Sequence, residues 1–364
     1  MERGAIVLTG ATGVVGMEVL ARLLERGEDD VIVLLRAADQ AAADARLTDT
    51  LARLWDTPPV APRVRAVRAD VTATRLGLTP ADRRAITAEA DRVLHCAAAV
   101  GFDQPLPDAL AVNALGTQRV LELAHAMPRL QRMVHVSTAF VGGCVEGVFR
   151  ETDLIAGQAF RNTYEQTKHL AERLVSGSGL PVTIARPSIV VGDSTTGWTP
   201  AFSALYLPLR AFARGLLDRV PADPQGLVDA VPLDYVAASL LHLLEAPEAE
   251  GHTYNLVAGE RAARVGDVLA LAQVRFAQPP PTFAPLRIGG GTEALVPYFD
   301  VKTQFDDTQA RALLEPAGLR STPLDALFEC LMDYAEATRW GRVPTTRETA
   351  LRQAGQRVEE VAAA

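Results

Sequence analysis

Tyr164 and Lys168 stand four residues apart in Asn162-Thr163-Tyr164-Glu165-Gln166-Thr167-Lys168, which runs on into HLAERL. On a helix, residues i and i+4 share a face, so both side chains can enter one cleft. The chemistry that suits the pair is proton exchange with an oxygen that gains or loses a hydride. A free phenol, with a pKa of roughly 10, holds its proton too tightly for this at neutral pH. An ammonium beside it favours the phenolate and lowers that pKa. Arginine would supply charge but not the compact ammonium that can also bond a ribose hydroxyl. Composition adds weight: the only lysines are Lys168 and Lys302, and the other 34 of 36 basic residues are arginines. A third hydroxyl lies in Val136-Ser137-Thr138-Ala139-Phe140-Val141-Gly142-Gly143. Just past a buried strand, Thr138 can bond a substrate carbonyl oxygen and stabilise its developing charge. Ser137 can do the same, and either can instead satisfy nearby backbone groups.

A Tyr-x-x-x-Lys spacing arises by accident in amphipathic helices, so it gains meaning only from its company. That company is the run AIVLT followed by Gly10-Ala-Thr-Gly13-Val-Val-Gly16 and a helical pattern. Glycines there allow a tight turn, close approach of backbone N–H groups to a pyrophosphate, and helix–sheet contact. Between the first strand and first helix of an alternating pattern, the loop reads as a dinucleotide site. The second strand ends VIVLLR, placing Arg36 where NAD-binding proteins carry an acid for the ribose 2′-hydroxyl. Arginine favours a 2′-phosphate, hence NADPH; Asp39 lies past the strand end. Asp70 and Val71, after the third strand, are placed to reach the adenine, or Asp70 caps a turn.

Positioning these groups requires a sheet. Strands are predicted at Ala5–Thr9, Val31–Leu35, Val64–Ala69, Arg92–Ala97, Met133–Ser137 and Val182–Ala185. Between them, helices are predicted at Val14–Arg26, Asp39–Leu54, Asp108–Ala126 and Gln158–Ser176. The alternation specifies an α/β fold: a Rossmann-type doubly wound parallel sheet with a smaller C-terminal substrate-binding lobe. Residues 1–190 are expected to form the NADP-binding core, and 191–345 mostly the lobe, with segments near 228–260 returning to the core. Residues 346–364 are expected to be a frayed tail. Helices are also predicted over Trp198–Leu217, Tyr235–Leu244, Thr308–Leu314 and Pro323–Ala337, with breaks at Pro221–Pro232, Pro279–Pro285 and Gly289–Gly291. Trp198, Phe202, Tyr206, Leu209 and Phe212 form a stripe that can line an acyl tunnel, meet a carrier protein or fill a core.

The 364 residues are 48% apolar and 22% charged, in the range of globular proteins. A net charge of −8 without a basic run argues against nucleic acid or an anionic membrane as partner. Cys96, Cys144 and Cys330 have no CxxC spacing and read as buried free thiols. The six histidines share no ligand spacing, so no metal site is expected. His95 and Cys96 read as packing, and Asn113, in Val-Asn-Ala-Leu-Gly-Thr, as a helix-surface residue. No secretory signal or membrane span is visible, and a cytoplasmic protein is expected.

TGATGVVG, HCAA (His95–Ala98), VSTAFV, NTYEQTK and ARPSIV together resemble the extended short-chain dehydrogenase/reductase superfamily, over roughly residues 4–260. Arg36, NTYEQTK and the run from Arg186 to Trp198 are most similar to its thioester reductase and fatty acyl-CoA reductase branch. The resemblance implies a Thr–Tyr–Lys site at Thr138, Tyr164 and Lys168, with Asn113 steadying the active-site helix and a water. It implies cofactor contacts at Gly10, Thr12, Gly13, Val14, Val15, Arg36, Asp70, Val71, Ala97, Lys168 and Pro187. The expected activity is NADPH-dependent hydride transfer to a carbonyl, foremost an acyl thioester on coenzyme A or an acyl carrier protein, giving aldehyde or alcohol. Alternatives are a ketone reductase or secondary alcohol dehydrogenase, a nucleotide-sugar epimerase or dehydratase holding NAD, and an NADP-sensing regulator. Oligomeric state is left open.

Overall fold

A strand covered by helices on both faces must be apolar at consecutive positions, as AIVLT and VIVLL are. The computed structural model describes residues 4–57, 63–202, 205–284, 298 and 300–363; Pro285 and the Gly289–Gly291 run lie outside these. Seven strands form one parallel sheet: β1 (Ala5–Thr9), β2 (Val31–Leu35), β3 (Val64–Arg68), β4 (Ala90–His95), β5 (Arg132–Val136), β6 (Val182–Pro187) and β7 (Thr253–Leu256). Their order is β7-β6-β5-β4-β1-β2-β3. The helices are α1 (Val14–Arg26), α2 (Gln40–Leu54), α3 (Pro80–Glu89), α4 (Leu106–Asn113), α5 (Leu115–His125), α6 (Thr163–Ser176), α7 (Tyr206–Ala213), α8 (Leu233–Glu245), α9 (Val265–Phe276), α10 (Thr308–Leu314), α11 (Leu324–Ala337) and α12 (Arg347–Ala363).

The two faces carry separate cores. Ile6 and Leu8 of β1 pack with Val19, Leu20 and Leu23 of α1 and with Val236 and Leu240 of α8. Ala5 and Val7 point the other way, towards Ile86 of α3, Val120 and Leu123 of α5 and Val175 of α6. The order reverses between β1 and β4, and in such sheets the crevice beyond the strand C-termini at that switch is where ligands bind.

After β6 the chain leaves this sheet. Tyr206, Leu209 and Phe212 of α7, Val268 of α9 and Leu327, Phe328 and Leu331 of α11 build a further core. Among the described residues, the predicted Trp198–Leu217 helix is corrected to α7: Trp198 N–H is taken by Thr196 Oγ1, the Thr199 hydroxyl donates to the Ala201 carbonyl, and Gly215 follows the helix at φ +65°. Of its aromatic stripe, Trp198, Tyr206, Leu209 and Phe212 are all buried, which favours the core reading over a tunnel. The predicted Asp108–Ala126 helix is divided at Ala114 into α4 and α5, and α6 starts at Thr163 rather than Gln158. β7 lies in the stretch expected to return to the core, but no strand was predicted there: TYNL is short and carries a polar residue, Asn255, which is fully buried and donates to the Asp306 carbonyl at 2.7 Å. Cys144 is exposed and Cys96 and Cys330 are partly exposed, contrary to the expectation of three buried thiols.

The stretch expected to fray is the helix α12, tied to the core at its first residue. Arg347 Nε and Nη2 donate to the Glu18 carboxylate on α1 at 2.6 and 3.0 Å, and its guanidinium also reaches Glu25. Glu18 is fully buried, and burial raises its pKa against the pull of Arg347 and Arg22. An ion pair of that kind costs most when one partner is removed. Arg347→Ala should lower unfolding free energy by about 3 kcal/mol, measured by denaturant titration, and Glu18→Gln in the same chain should recover part of the loss. An unchanged midpoint for Arg347→Ala would show that the anchor contributes nothing.

Candidate active site

The glycine loop is fixed by sterics. Gly10 has φ +75°, and a Cβ there would lie 2.6 Å from the Ala97 nitrogen. A Cβ on Gly16 would lie 2.2 Å from the Gly10 carbonyl. The α1 N-terminus follows directly, with Gly13 as N-cap and no side-chain cap on its N–H groups. An uncapped helix start of this kind is a site for an anion. The cleft above it holds about 400 Å³ and is lined by Gly10, Thr12, Gly13, Arg36, Asp70, Val71 and Ala97, which come from the ends of β1 to β4. Val14 and Val15 lie at the start of α1 with their side chains against the apolar core. Pro187 is buried at the end of β6. Another cleft, of about 420 Å³, opens at the opposite end of the sheet around Asp30, Arg63, Arg65 and Arg129, and holds none of the predicted residues.

Two acids near the cleft have local partners. Asp39 caps α2, accepting from Ala42 N–H at 2.8 Å, so it is occupied as a helix cap. Asp70 lines the cleft while its Oδ1 accepts from the Thr72 N–H and hydroxyl, both at 2.8 Å. Both the cleft and the turn readings of Asp70 thus describe its surroundings. Arg46 is a lining residue that the sequence reading missed: from α2 it donates to the Arg36 carbonyl. Helical side chains tilt towards the helix N-terminus, which carries a long residue back towards the end of β2.

Thr138, Tyr164 and Lys168 come together at the far side of the reversal. Thr138 follows β5, accepts from Phe140 N–H at 3.3 Å, and lies close enough to the Tyr164 hydroxyl to favour its phenolate. Ser137 is buried and makes no side-chain hydrogen bond. Asn162 caps α6 by accepting from Glu165 N–H at 3.0 Å, and the Glu165 carboxylate accepts from Arg161 N–H at 2.9 Å. The two bonds fix the first turn of α6, with Tyr164 in it: the N-cap side chain serves the helix, and the Glu165 carboxylate reaches back to the residue before the cap. Lys168, 1% exposed, donates to the Val136 carbonyl at 2.8 Å and approaches His135 Nε2 at 3.4 Å. Burial pulls Lys168 down to about 8, opposed by Glu172. Burial pushes Tyr164 up to about 12, opposed by the neighbouring Thr138 hydroxyl and aided by the Glu165 charge. The expected depression of the phenol by its lysine is not what sets Tyr164: burial dominates its shift, and the Lys168 ammonium is turned to the Val136 carbonyl.

Polar struts hold the site. Asn113 donates to the Ala99 carbonyl at 3.0 Å and to Thr167 Oγ1 at 2.9 Å, and accepts from Ala99 N–H at 2.7 Å. It therefore joins the cleft loop after β4 to α6, between Tyr164 and Lys168. Thr117 gives its proton to the Asn113 carbonyl at 2.6 Å, so its oxygen accepts from His95 Nε2 at 3.0 Å. His95 Nδ1 then accepts from the Thr9 hydroxyl at 2.7 Å. His95 is more than packing: it is a neutral imidazole, held near 3 chiefly by burial, that ties β1, β4 and α5 together. His135, opposite it on β5 with rings 5.3 Å apart, was missed because a lone histidine in an apolar strand gives no signal. Among the described residues, no group of three His, Cys, Asp or Glu is placed to hold a metal ion. No described helix is long and apolar enough to cross a membrane.

Residues 8–240 match the male sterility protein family of NAD-binding domains. The chain belongs to that family. It is 31% identical over 265 residues to a linear gramicidin synthase chain of Brevibacillus parabrevis, covering 70% of this chain and 5% of the synthase. It is 29% identical over 273 residues to fatty acyl-CoA reductase 1 of Homo sapiens, covering 64% of this chain and 52% of that one. The chain thus spans about half the length of this reductase and a small part of the synthase. Among solved structures, the terminal R domain of the myxalamid PKS-NRPS biosynthetic pathway is similar, with 27% identity, a TM-score of 0.79, and coverage of 94% of this chain and 93% of that one. The family match and this neighbour bear out the extended short-chain dehydrogenase/reductase resemblance, its thioester and fatty acyl-CoA reductase branch, and the Rossmann-type sheet.

Proposed function

We propose that this member of the male sterility family is an NADPH-dependent reductase of acyl thioesters carried by coenzyme A or an acyl carrier protein. The observation that carries the reading is the Thr138–Tyr164 hydroxyl pair, with Lys168 one turn along α6, beside a cleft shaped by glycines. Relatives named as fatty acyl-CoA reductases support the substrate class. The residues fit the cofactor: Gly10 and Gly16 leave room that a Cβ would fill, and the uncapped start of α1 suits a pyrophosphate. In this reading Gly10, Thr12, Gly13, Val14 and Val15 hold the phosphates, and Asp70, Val71 and Ala97 border the adenine side. Arg36 and Arg46 hold a 2′-phosphate, and Lys168 and Pro187 lie towards the nicotinamide. When bound, the reduced nicotinamide supplies a hydride.

The protein's own part is to hold and protonate the oxygen. The Thr138 and Tyr164 hydroxyls bond the thioester carbonyl oxygen and stabilise the charge that develops on it. Tyr164 gives its proton to that oxygen, and the buried Lys168 ammonium stabilises the phenolate left behind. Collapse of the resulting hemithioacetal releases thiol and aldehyde, and a second round would give the alcohol. Asn113 keeps α6 and the cleft loop in register throughout. The test is NADPH absorbance with acyl-CoA, acyl-carrier and ketone substrates, followed by identification of the product. Oxidation with release of free thiol is the expected result. Turnover of ketones alone would overturn the thioester assignment, and no turnover at all would revive a cofactor-sensing role.

A further inference from the structure

Tyr298 comes from a distant part of the chain and ends on the turn that carries Tyr164. Its hydroxyl accepts from Asn162 Nδ2 at 2.8 Å and donates to Glu165 Oε1 at 2.8 Å. Asn162 and Glu165 are the two side chains that fix the start of α6, one accepting from Glu165 N–H and the other from Arg161 N–H. The three groups close a ring of hydrogen bonds: Tyr298 to Glu165, Glu165 N–H to Asn162, and Asn162 to Tyr298. With Asn162 Oδ1 turned to the helix, its amide nitrogen must face outward, and Tyr298 is what receives it.

We propose that Tyr298 is a positioning residue of the site, clamping the first turn of α6 so that Tyr164 stays against Thr138. This rests on the reductase reading above. The tyrosine ring supports the same two elements as its hydroxyl. It stacks on Phe102 with centroids 4.9 Å apart and meets Phe140 edge-on at 5.1 Å. Phe102 continues to the Tyr164 ring at 5.9 Å, and Phe140 lies two residues beyond Thr138. Both hydroxyls of the pair are therefore braced through one side chain. The clamp also matters electrostatically. The Glu165 charge works against a Tyr164 phenolate, and Glu165 is held in place by Arg161 on one side and Tyr298 on the other. A tyrosine that only filled space would not need its hydroxyl between the two cap side chains.

The experiment compares Tyr298→Phe and Tyr298→Ala in the full chain. Activity is expressed per NADPH-binding site, and hydrogen exchange is followed over residues 161–170. For Tyr298→Phe, kcat with an acyl thioester should fall about tenfold while the KM for thioester and the Kd for NADPH change less than about twofold. Exchange in the first turn of α6 should speed up while the loop between β1 and α1 stays as it was. Tyr298→Ala should be worse on both counts; if it does not fold, Tyr298→Phe alone decides. Unchanged kcat per site in Tyr298→Phe overturns the proposal, even with a lower melting temperature, because a merely structural tyrosine gives that pattern. A lower kcat with unchanged exchange also overturns it. If the wild-type chain reduces no thioester, the reductase reading falls, and the exchange measurement still decides whether the clamp exists.

Discussion

Tyr164→Phe should lower kcat/KM for an acyl thioester by about 10²- to 10⁴-fold, the contribution of one well-placed proton donor. The ring and its contact with Phe102 survive the change, so the loss is that of the hydroxyl alone. NADPH affinity should stay within about twofold, because the Gly10–Gly13 cleft and its arginines are untouched. The pH profile gives the same prediction a second reading. With Tyr164 pushed up to about 12, the phenol stays protonated through the neutral range. Lys168, held near 8, is the group that titrates. As pH rises through that value the ammonium is lost, and with it the charge that stabilises a phenolate. kcat/KM should therefore fall on a basic limb centred near 8. Lys168→Arg should abolish that limb, since guanidinium keeps its proton, and lower the rate throughout. A wild-type rate in Tyr164→Phe, measured by stopped-flow NADPH oxidation, would remove the tyrosine from the chemistry.

The second large effect concerns which nicotinamide dinucleotide binds. Arg36 and Arg46 line one cleft, and Asp39, the acid nearest the end of β2, caps a helix. Charge-assisted hydrogen bonds contribute roughly 1.5–3 kcal/mol each, and arginine can meet a phosphate in bidentate fashion. Arg36→Ala with Arg46→Ala should weaken NADPH binding by about 10²- to 10³-fold and leave NADH nearly unchanged. Fluorescence titration of both dinucleotides checks this. Equal losses for the two would mean that the arginines do not read the 2′-phosphate.

Where each side of a strand meets a helix, the sequence was easy to read: β1, β2 and α1 begin and end at the predicted residues. Thr138, Tyr164 and Lys168 could be read as candidates because their spacing relative to strands and helix already implies a shared rim. What stayed hidden is what depends on tertiary contact. β7 is only four residues and holds a buried asparagine whose partner, Asp306, is distant in sequence. α12 looked expendable because the reason for its order is the buried Glu18 of α1. Arg46 reads as one of many surface arginines until its helix is laid against β2. The direction of the Tyr164 shift also escaped, because a motif gives proximity to a charge and not the enclosure that opposes it.

The placement of β7 has a consequence for the order of events during synthesis. β6 is complete at Pro187, yet its outer neighbour starts at Thr253, and the helix that covers α1 starts at Leu233. While the intervening segments emerge from the ribosome, β6 presents an unpaired edge and α1 an uncovered apolar stripe, both open to wrong partners. Glu18 waits still longer, gaining its second arginine only when residue 347 arrives. The sheet against which α6 carries Tyr164 and Lys168 therefore closes late, and slowing translation between residues 187 and 253 should prolong the chain's need for a chaperone.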